Sequence, residues 1–260
     1  MKRGRGMKIR AAALAALLCL AFAGCAFAAW DSEREIMRLK DEVPSMEIYG
    51  SNDAVVWLRN DESRLTASGS VERLRANVIM MGEKVPEGWK AVRYPVPAGG
   101  SLSVEEAAWY NTMTGMKEGD LPVEEQTLPG GASVRVVTVP EDTIGRAVVI
   151  VVKEPRDSRT GVSGPVNMAG DLPIWEQNVS VEVPEGTEIF WSGREMREPT
   201  ESMSGGSVKY SWQVMNQLPW RGEGFVVNER PMLSFSTNVG VLAGIREANE
   251  LAASVPQLPM

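Results

Sequence analysis

The segment Ser133–Glu154, SVRVVTVPEDTIGRAVVIVVKE, decides the fold class. Its two β-branched runs, Val134–Val139 and Ala147–Val152, flank a short polar turn that begins at Pro140 and ends at Gly145. This composition predicts a β-hairpin. Because six consecutive apolar residues leave neither face of the second run polar, we expect that strand to be central in a sheet and covered on both sides. A helix is the alternative, but a run this short and rich in valine and isoleucine favours a strand.

Outside this segment, short strands recur about every ten residues and are separated by Pro and Gly turns. The polar positions of the strand Val71–Met81 are expected to face outward, and the turn Pro184–Gly186 is expected to close a second hairpin into Trp191. The pattern predicts an all-β domain of stacked antiparallel sheets, a β-sandwich, over residues 44–237. The clearest strand segments are Ala54–Leu58, Val71–Met81, Val179–Val183, Val208–Val214 and Met232–Thr237.

Short accessory helices are predicted at the two ends of the domain. Residues 29–43 are expected to form an N-terminal helix with an acidic first turn, and residues 238–260 a C-terminal helix and tail, with Asn238 or Thr237 as the helix cap. A capping-box pattern predicts one further short helix at Ser103–Trp109. The intervening segment Pro155–Gly170 is rich in Pro, Gly, Ser and Asp, which is typical of a loop. Its residues 157–160 are expected to form either a binding loop or a solvated connector.

Residues 1–28 have the layout of a secretory signal peptide, with basic residues followed by the apolar run Ala11–Ala23. A small-residue pattern predicts cleavage between Ala28 and Ala29. The alternative is a lipoprotein site, with Cys25 acylated after cleavage. We therefore expect an exported protein, periplasmic or extracellular, without a transmembrane segment after cleavage, or a lipoprotein anchored through Cys25.

The charge balance and the missing residue types exclude several function classes. The chain carries a net charge of −7, and without its first 28 residues 22 basic side chains remain against 34 acidic ones, or −12. Such a protein repels nucleic acid. There is no histidine, and both cysteines, Cys19 and Cys25, lie in the signal segment. Cys-His and Ser-His-Asp nucleophiles are excluded, as are zinc sites that need Cys or His, and we predict no cofactor and no metal. Carboxylate chemistry, a Ser-Lys pair or an oxygen-ligated calcium site remain open.

Eight tryptophans against five phenylalanines raise the hypothesis of sugar binding, because indole faces stack on flat apolar surfaces. Trp57 and Trp212 lie at apolar positions of strands and are expected in the core. The candidate ligand platforms are Trp109, Trp191 and Trp220, and Trp220 is the strongest because it sits in a loop context that is hard to bury.

Acidic neighbours such as Glu105-Glu106, Glu124-Glu125 and Glu141-Asp142 do not form acid/base pairs, since adjacent side chains point to different faces of a strand or helix. They are expected to be surface charge. A carboxylate-based hydrolase would need two acids that converge in one cleft.

The order and spacing of several short motifs resemble one protein family. The chain is similar to the bacterial domain of unknown function that precedes a transglutaminase-like, papain-type domain in exported proteins, over about residues 45–237. The resemblance implies a β-sandwich without established activity of its own, since the family's Cys-His-Asp residues belong to the following domain, which is absent here. It also leaves open a fragment of a longer protein or a catalytic half on a separate polypeptide. The motifs are Ala54–Leu58, Gly69 with Arg73, Tyr94-Pro95, Ala107-Ala108, Val139-Pro140 with Gly145, Val183–Gly186, Tyr210–Trp212 with Asn216, and Pro231 with Ser234 and Ser236-Thr237.

The sequence thus predicts a secreted, non-enzymatic β-sandwich that acts as a protein-interaction module. Its expected partner is a separately encoded transglutaminase-like protein or an envelope component, and an exposed sheet edge or the C-terminal helix would offer the contact. The alternative is a glycan-binding module of the cell envelope.

Overall fold

The computed structural model describes residues 30–49, 53–97, 100–157, 161–193, 196–219, 232–238, 240–242 and 244–245. The predictions for the signal peptide, Cys25, Ala28, Ala29 and Trp220 lie outside these residues. Strands dominate the described part of the chain, which confirms the all-β prediction. The helices whose bounds lie within the described residues are α1 (Ser32–Glu42) and α2 (Glu87–Lys90), with 3-10 turns at Met46–Tyr49 and Glu141–Thr143. The strands are β1 (Ala54–Leu65), β2 (Ser70–Met81), β3 (Ala91–Pro95), β4 (Ser103–Tyr110), β5 (Lys117–Asp120), β6 (Val123–Thr127), β7 (Ser133–Thr138), β8 (Ala147–Asp157), β9 (Ser163–Asn167), β10 (Ile174–Pro184), β11 (Phe190–Gly193), β12 (Thr200–Ser204), β13 (Ser207–Gln217) and β14 (Met232–Ser236).

An eight-stranded sheet, the large sheet, runs through the whole domain in the order β12-β13-β10-β1-β2-β8-β4-β5. Its strand pairs are antiparallel except for β1 and β10, which run parallel with Asn60 opposite Asn178. The predicted strands are all present, and the Val208–Val214 pattern lies within β13. Trp57 and Trp212 are buried, as expected from their strand positions.

Two three-stranded sheets pack against one face of the large sheet. The first small sheet has the order β3-β7-β6 and the second β11-β14-β9. Val71 and Ile79 of β2 lie on the same face because they are eight residues apart, yet they belong to different core clusters. The two small sheets therefore cover opposite ends of one face. The first cluster includes Val56, Ile79, Ile150, Tyr94 and Val137, and the second includes Val71, Val181, Val166, Leu233 and Phe235.

Strand β8 is the buried centre that the sequence predicts. Val148–Val152 are at most 1% exposed, because β8 has neighbours on both edges and cover on both faces. The predicted hairpin is wrong, however, since β7 lies in the first small sheet and β8 in the large sheet. The connection binds β2 instead: the N–H of Gly145 donates to the carbonyl of Met81, and the N–H of Met81 donates to that of Arg146. These hydrogen bonds hold the connection in place where the chain passes from the first small sheet to the large sheet.

The second predicted hairpin and the predicted internal helix are also wrong. After β10 the chain turns at Pro184–Gly186, but β10 pairs with β13 whereas β11 pairs with β14. Ser103–Tyr110 is a strand, because Val104 and its neighbours fill the position beside β8, opposite Val152. Tertiary pairing here overrides a local capping signal.

The segment predicted as a long loop, Pro155–Gly170, contains the end of β8 and the whole of β9. Residues 158–160 of the candidate binding loop lie outside the described residues, so this prediction stays open.

Helix α1 confirms the N-terminal prediction. Ile36 and Leu39 are fully buried, and Arg38 Nη1 lies 2.9 Å from Glu176 Oε2 on β10. At the other end, Asn238 Oδ1 accepts hydrogen bonds from the N–H groups of residues 240 and 241. Residues 240–242 and 244–245 are helical, which confirms a cap at Asn238; the rest of the predicted C-terminal helix lies outside the described residues.

Candidate functional site

A cleft of about 400 Å³ opens on the large sheet between the two small sheets. We call it the arginine cleft. Strands β1 and β2 form its floor, residues of α2 and β3 form one wall, and β9 forms the other. The floor residues are Arg59, Asn60, Asp61, Arg73, Arg75 and Asn77; the walls are Trp89, Val92 and Tyr94 on one side and Pro165, Val166 and Asn167 on the other.

The alternation of strand β2 places its arginines in the cleft. Arg73, Arg75 and Asn77 share a face with Val71 and Ile79, which belong to the two core clusters. The apolar ends of this face are covered by the small sheets, and its polar middle lies in the gap between them. The prediction that the polar positions of β2 face outward is therefore wrong, because they point to the layer that carries the small sheets.

Two diagonal ion pairs tie the β2 arginines to neighbouring strands. Arg73 Nε donates to Asp61 Oδ1 at 2.9 Å, and Arg73 Nη2 donates to Asp61 Oδ2. Arg75 Nη2 donates to Glu154 Oε1 on β8. Both pairs are diagonal, since Asp61 lies directly opposite Arg75 and Glu154 directly opposite Arg73 in the strand register. The guanidinium groups are thereby held in fixed positions on the floor.

Burial and the charge of Arg73 disfavour the charged form of Arg75, whereas Asp61 favours that of Arg73. Burial, followed by the charge of Arg73, lowers the pKa of Arg75. For Arg73 burial acts in the same direction, but the Asp61 carboxylate outweighs it and the pKa of Arg73 is raised. Both side chains stay protonated at neutral pH. An anion in the cleft would relieve the repulsion at Arg75.

Tyr94 closes the cleft above Arg75. The Arg75 guanidinium carbon lies 5.3 Å from the centre of the Tyr94 ring, within the range of a cation–π contact. Burial raises the pKa of Tyr94 to about 12, opposed by the charge of Arg75. Among the described residues, Arg75 Nε is buried without a hydrogen-bond partner. This part of the cleft therefore has an N–H donor available to an anion.

The lining of the arginine cleft carries three arginines and one aspartate, a formal charge of +2. Including Glu154, which pairs with Arg75, the local charge is still +1, in a chain of net charge −7. Guanidinium groups bind carboxylate and phosphate oxygens through charge-assisted hydrogen bonds. The arrangement is suited to hold an anionic group between partly apolar walls.

A second cavity, also of about 400 Å³, lies beside strands β11 and β13. We call it the acidic pocket. Trp191 and Tyr210 supply its aromatic surface, and burial, followed by the charges of Glu201 and Glu188, raises the pKa of Tyr210. Trp191 also makes an edge contact with the buried Trp212, at 5.9 Å between ring centres. The lining is Glu188, Ile189, Trp191, Glu198, Pro199, Glu201 and Tyr210.

The structure separates the tryptophans that the sequence singles out. Trp191 lies in the acidic pocket. Trp109 is half-buried on β4, where its ring covers Gly119 and packs against the first core cluster, and it lines neither of the two cavities. Trp220 is outside the described residues.

The acidic neighbours behave as surface charge on β6, where Glu124 and Glu125 are exposed. Glu188, Glu198 and Glu201, which are not adjacent in sequence, line the acidic pocket together, so acids do share a cavity there. In the described part of the chain, no group of three acidic side chains is arranged to hold a metal ion. Nor does that part contain a helix with the length and apolar character needed to cross a membrane.

Sequence reasoning did not single out Arg59, Arg73 or Arg75 as site residues. A signal was present nonetheless. On β2 the positions that carry Arg73 and Arg75 are continued by apolar Val71 at one end and Ile79 at the other. A face that is apolar at both ends is covered by protein, so polar residues in its middle indicate an internal polar site.

Comparison with known proteins finds a similar fold but identifies no family. No protein-family model matches the sequence, and no curated protein matches it. Among solved structures, the chain is similar to a candidate protease from Parabacteroides distasonis, with 16% identity, a TM-score of 0.63, and coverage of 78% of this chain and 44% of that one. An M1 zinc metallopeptidase from Deinococcus radiodurans matches with 12% identity and a TM-score of 0.38 over 72% of this chain and 43% of that one. The chain thus spans less than half of each of these proteins, and what it has in common with the first of them is the fold.

Proposed function

We propose that this chain is an exported, non-catalytic β-sandwich module that binds an anionic group of a partner in the arginine cleft. The observation that carries the proposal is the convergence of three guanidinium groups with one carboxylate on the lining of a single cleft. In an acidic protein, a concave positive site concentrates anions at one place on the surface.

The residue types favour binding over catalysis. Arginine does not exchange its proton near neutral pH, so Arg59, Arg73 and Arg75 cannot serve as general bases. The whole sequence lacks histidine, and its two cysteines lie within residues 1–28. Positioning and charge recognition are what the cleft supplies.

The motifs of the sequence support an accessory role, because they resemble a domain that precedes a transglutaminase-like core. We therefore propose that it works beside a second polypeptide, either a separately encoded transglutaminase-like protein or an envelope component.

Thermal unfolding in the presence of small anions tests the binding proposal. Succinate or inorganic phosphate at about 100 times its Kd should stabilise the protein by about 2.7 kcal/mol. At about 2–4 °C per kcal/mol for a domain of this size, the melting temperature should rise by about 5–10 °C. Arg75→Gln should abolish this rise. Arg93→Gln is the matched control, because Arg93 is exposed on β3 and does not line the cleft. Equal rises in both variants would refute a specific site.

Gly170→Ala tests the position of a guanidinium without removing its charge. A Cβ at Gly170 would lie 3.1 Å from Arg59 Nη2, so Arg59 must shift. We expect weaker anion binding with an unchanged net charge. An unchanged affinity would show that the position of Arg59 does not matter to the site.

A second candidate function, glycan binding, is favoured by the acidic pocket. Trp191 and Tyr210 line it together with glutamates, and aromatic faces beside carboxylate acceptors can stack on and hydrogen-bond to sugar rings. Neutral polysaccharides should then change the tryptophan fluorescence of the protein and of Arg75→Gln, but not of Trp191→Ala. No change across a polysaccharide panel would remove this candidate.

A further inference from the structure

We infer that the anionic group held by the arginine cleft is the carboxylate of an extended polypeptide segment, which pairs as an added strand with the edge of β9. This inference rests on the proposed function and deepens it. It names the class of partner, an acidic peptide strand, and the way in which it docks.

Strand β9 offers the edge. Among the described strands it is the last of the second small sheet, with β14 on its other side. The N–H of Thr237 donates to the carbonyl of Val162, and these residues continue the antiparallel register of Ser236 with Ser163. Because hydrogen bonding alternates along a strand, Gly164 and Val166 direct their main-chain groups to β14.

The main-chain groups of Ser163, Pro165 and Asn167 therefore point away from β14, and Pro165 and Asn167 line the cleft. Pro165 contributes only a carbonyl, since it has no N–H. The carbonyl of Asn167 already accepts a hydrogen bond from Gln177 Nε2 at 2.8 Å. A proline on an edge discourages indiscriminate strand pairing. The arginines on the floor would then determine which partner binds.

The dimensions and chemistry of the cleft fit an extended segment. The five residues of β9 span about 16 Å, and the side chains of an added strand alternate between the floor and the solvent. A glutamate directed to the floor would meet Arg75 and Arg59. Its floor-facing neighbours, two residues away on each side, would meet apolar wall residues such as Trp89 and Val92.

A single carboxylate on an otherwise neutral strand fits better than a polyanion. The chain has a net charge of −7, which repels nucleic acid and other long polyanions. The local charge of the cleft, +1 to +2, matches one carboxylate rather than a row of phosphates. Strand addition supplies main-chain hydrogen bonds for affinity and leaves side-chain specificity to the floor.

The experiment is calorimetric titration of the protein with capped hexapeptides and with inorganic phosphate. The probe is acetyl-Val-Thr-Glu-Thr-Val-Thr-amide, which places the glutamate and both valines on one face. Its variants carry glutamine for glutamate, or N-methyl groups on alternate residues along one edge or the other. We expect the glutamine peptide to bind at least tenfold more weakly than the parent peptide. Of the two N-methylated peptides, we expect only one to be weakened by the same factor, because only one edge of the added strand pairs with β9. Arg75→Gln should lose the binding, and Arg93→Gln should keep it.

The outcomes separate this inference from the function on which it rests. If both methylated peptides bind like the parent peptide, or if phosphate binds through Arg75 and no peptide does, strand addition is refuted while anion binding stands. If neither peptides nor phosphate bind in a way that depends on Arg75, the inference and the proposed function both fall. Binding of the glutamine peptide with equal affinity would refute the role of the carboxylate.

Discussion

Replacing Asp61 by asparagine should weaken the fold and strengthen anion binding at the same time. The side chain of Asp61 is 8% exposed and accepts two hydrogen bonds from Arg73. Asparagine keeps the size and one acceptor oxygen but loses the charge. A hydrogen bond to a charged group contributes about 1.5–3 kcal/mol. Because the Arg73 side chain is 28% exposed, water compensates part of the loss, and we expect the free energy of unfolding to fall by about 1–2 kcal/mol.

The same substitution raises the formal charge of the cleft lining from +2 to +3, because Asp61 is the acidic residue of that lining. Two unit charges about 8 Å apart interact by about 1–2 kcal/mol at effective dielectric constants of about 20–40. Removing a repulsive carboxylate should therefore tighten the binding of succinate or phosphate by about five- to thirtyfold. The effect should shrink as the salt concentration rises.

Urea unfolding followed by tryptophan fluorescence measures the first effect, and calorimetric titration measures the second. Glu125→Gln is the matched control, since Glu125 forms an exposed ion pair with Arg135 at 3.0 Å. It should cost less than about 1 kcal/mol and leave anion binding unchanged. If Asp61→Asn lowers stability and affinity together, Asp61 serves to shape the site, and the electrostatic reasoning is refuted.

The remaining predictions concern packing, alkaline pH and the buried ion pair. Since Tyr94 ionises near pH 10 when unfolded and only at about 12 when folded, stability should fall by up to about 3 kcal/mol between pH 10 and 12, and Tyr94→Phe should lessen that fall in urea titrations. Gly119→Ala would drive a methyl group into the indole ring that covers it and should cost about 1–3 kcal/mol, whereas Gly88→Ala meets nothing within 4 Å and should be near neutral in thermal unfolding. Replacing Arg75 and Glu154 together by methionine and leucine should leave stability unchanged or raise it by about 1–4 kcal/mol while abolishing anion binding; a large loss of stability would contradict this.

The positions of the strands could be predicted from the sequence because burial leaves a local signature. The run Val148–Val152 is apolar on both faces, and it lies in an interior strand of the large sheet, third from one edge. Trp212 alternates with polar neighbours, and it is buried on one face of β13. In both cases the spacing of apolar residues is set by the two-residue period of a strand and needs no knowledge of its partners.

The pairing of the strands could not be predicted in the same way. A polar turn with Pro140 and Gly145 looks like a hairpin turn, but the hydrogen bonds of Gly145 go to Met81 on β2. Nothing local distinguishes a turn within one sheet from a crossing between two layers. The capping pattern at Ser103 failed for a related reason, since the place of β4 beside β8 is decided by residues far away in sequence.

The arginine cleft was missed because charged residues on a strand usually mean a solvated face. Ordinary packing does not account for its position. Guanidinium groups between two hydrophobic clusters lose hydration, and ion pairs such as Arg73 with Asp61 offset that cost at best partly. Apolar residues at Arg73 and Arg75 would join the two core clusters into one and would stabilise the fold through additional apolar burial. With three arginines in this gap between the small sheets, beside a wall that includes Tyr94, the fold is less stable than it would be with apolar residues at these positions. Such a loss is expected where residues serve binding rather than folding, and this is why the cleft, and not the more exposed charges of the surface, is the place to look for the partner.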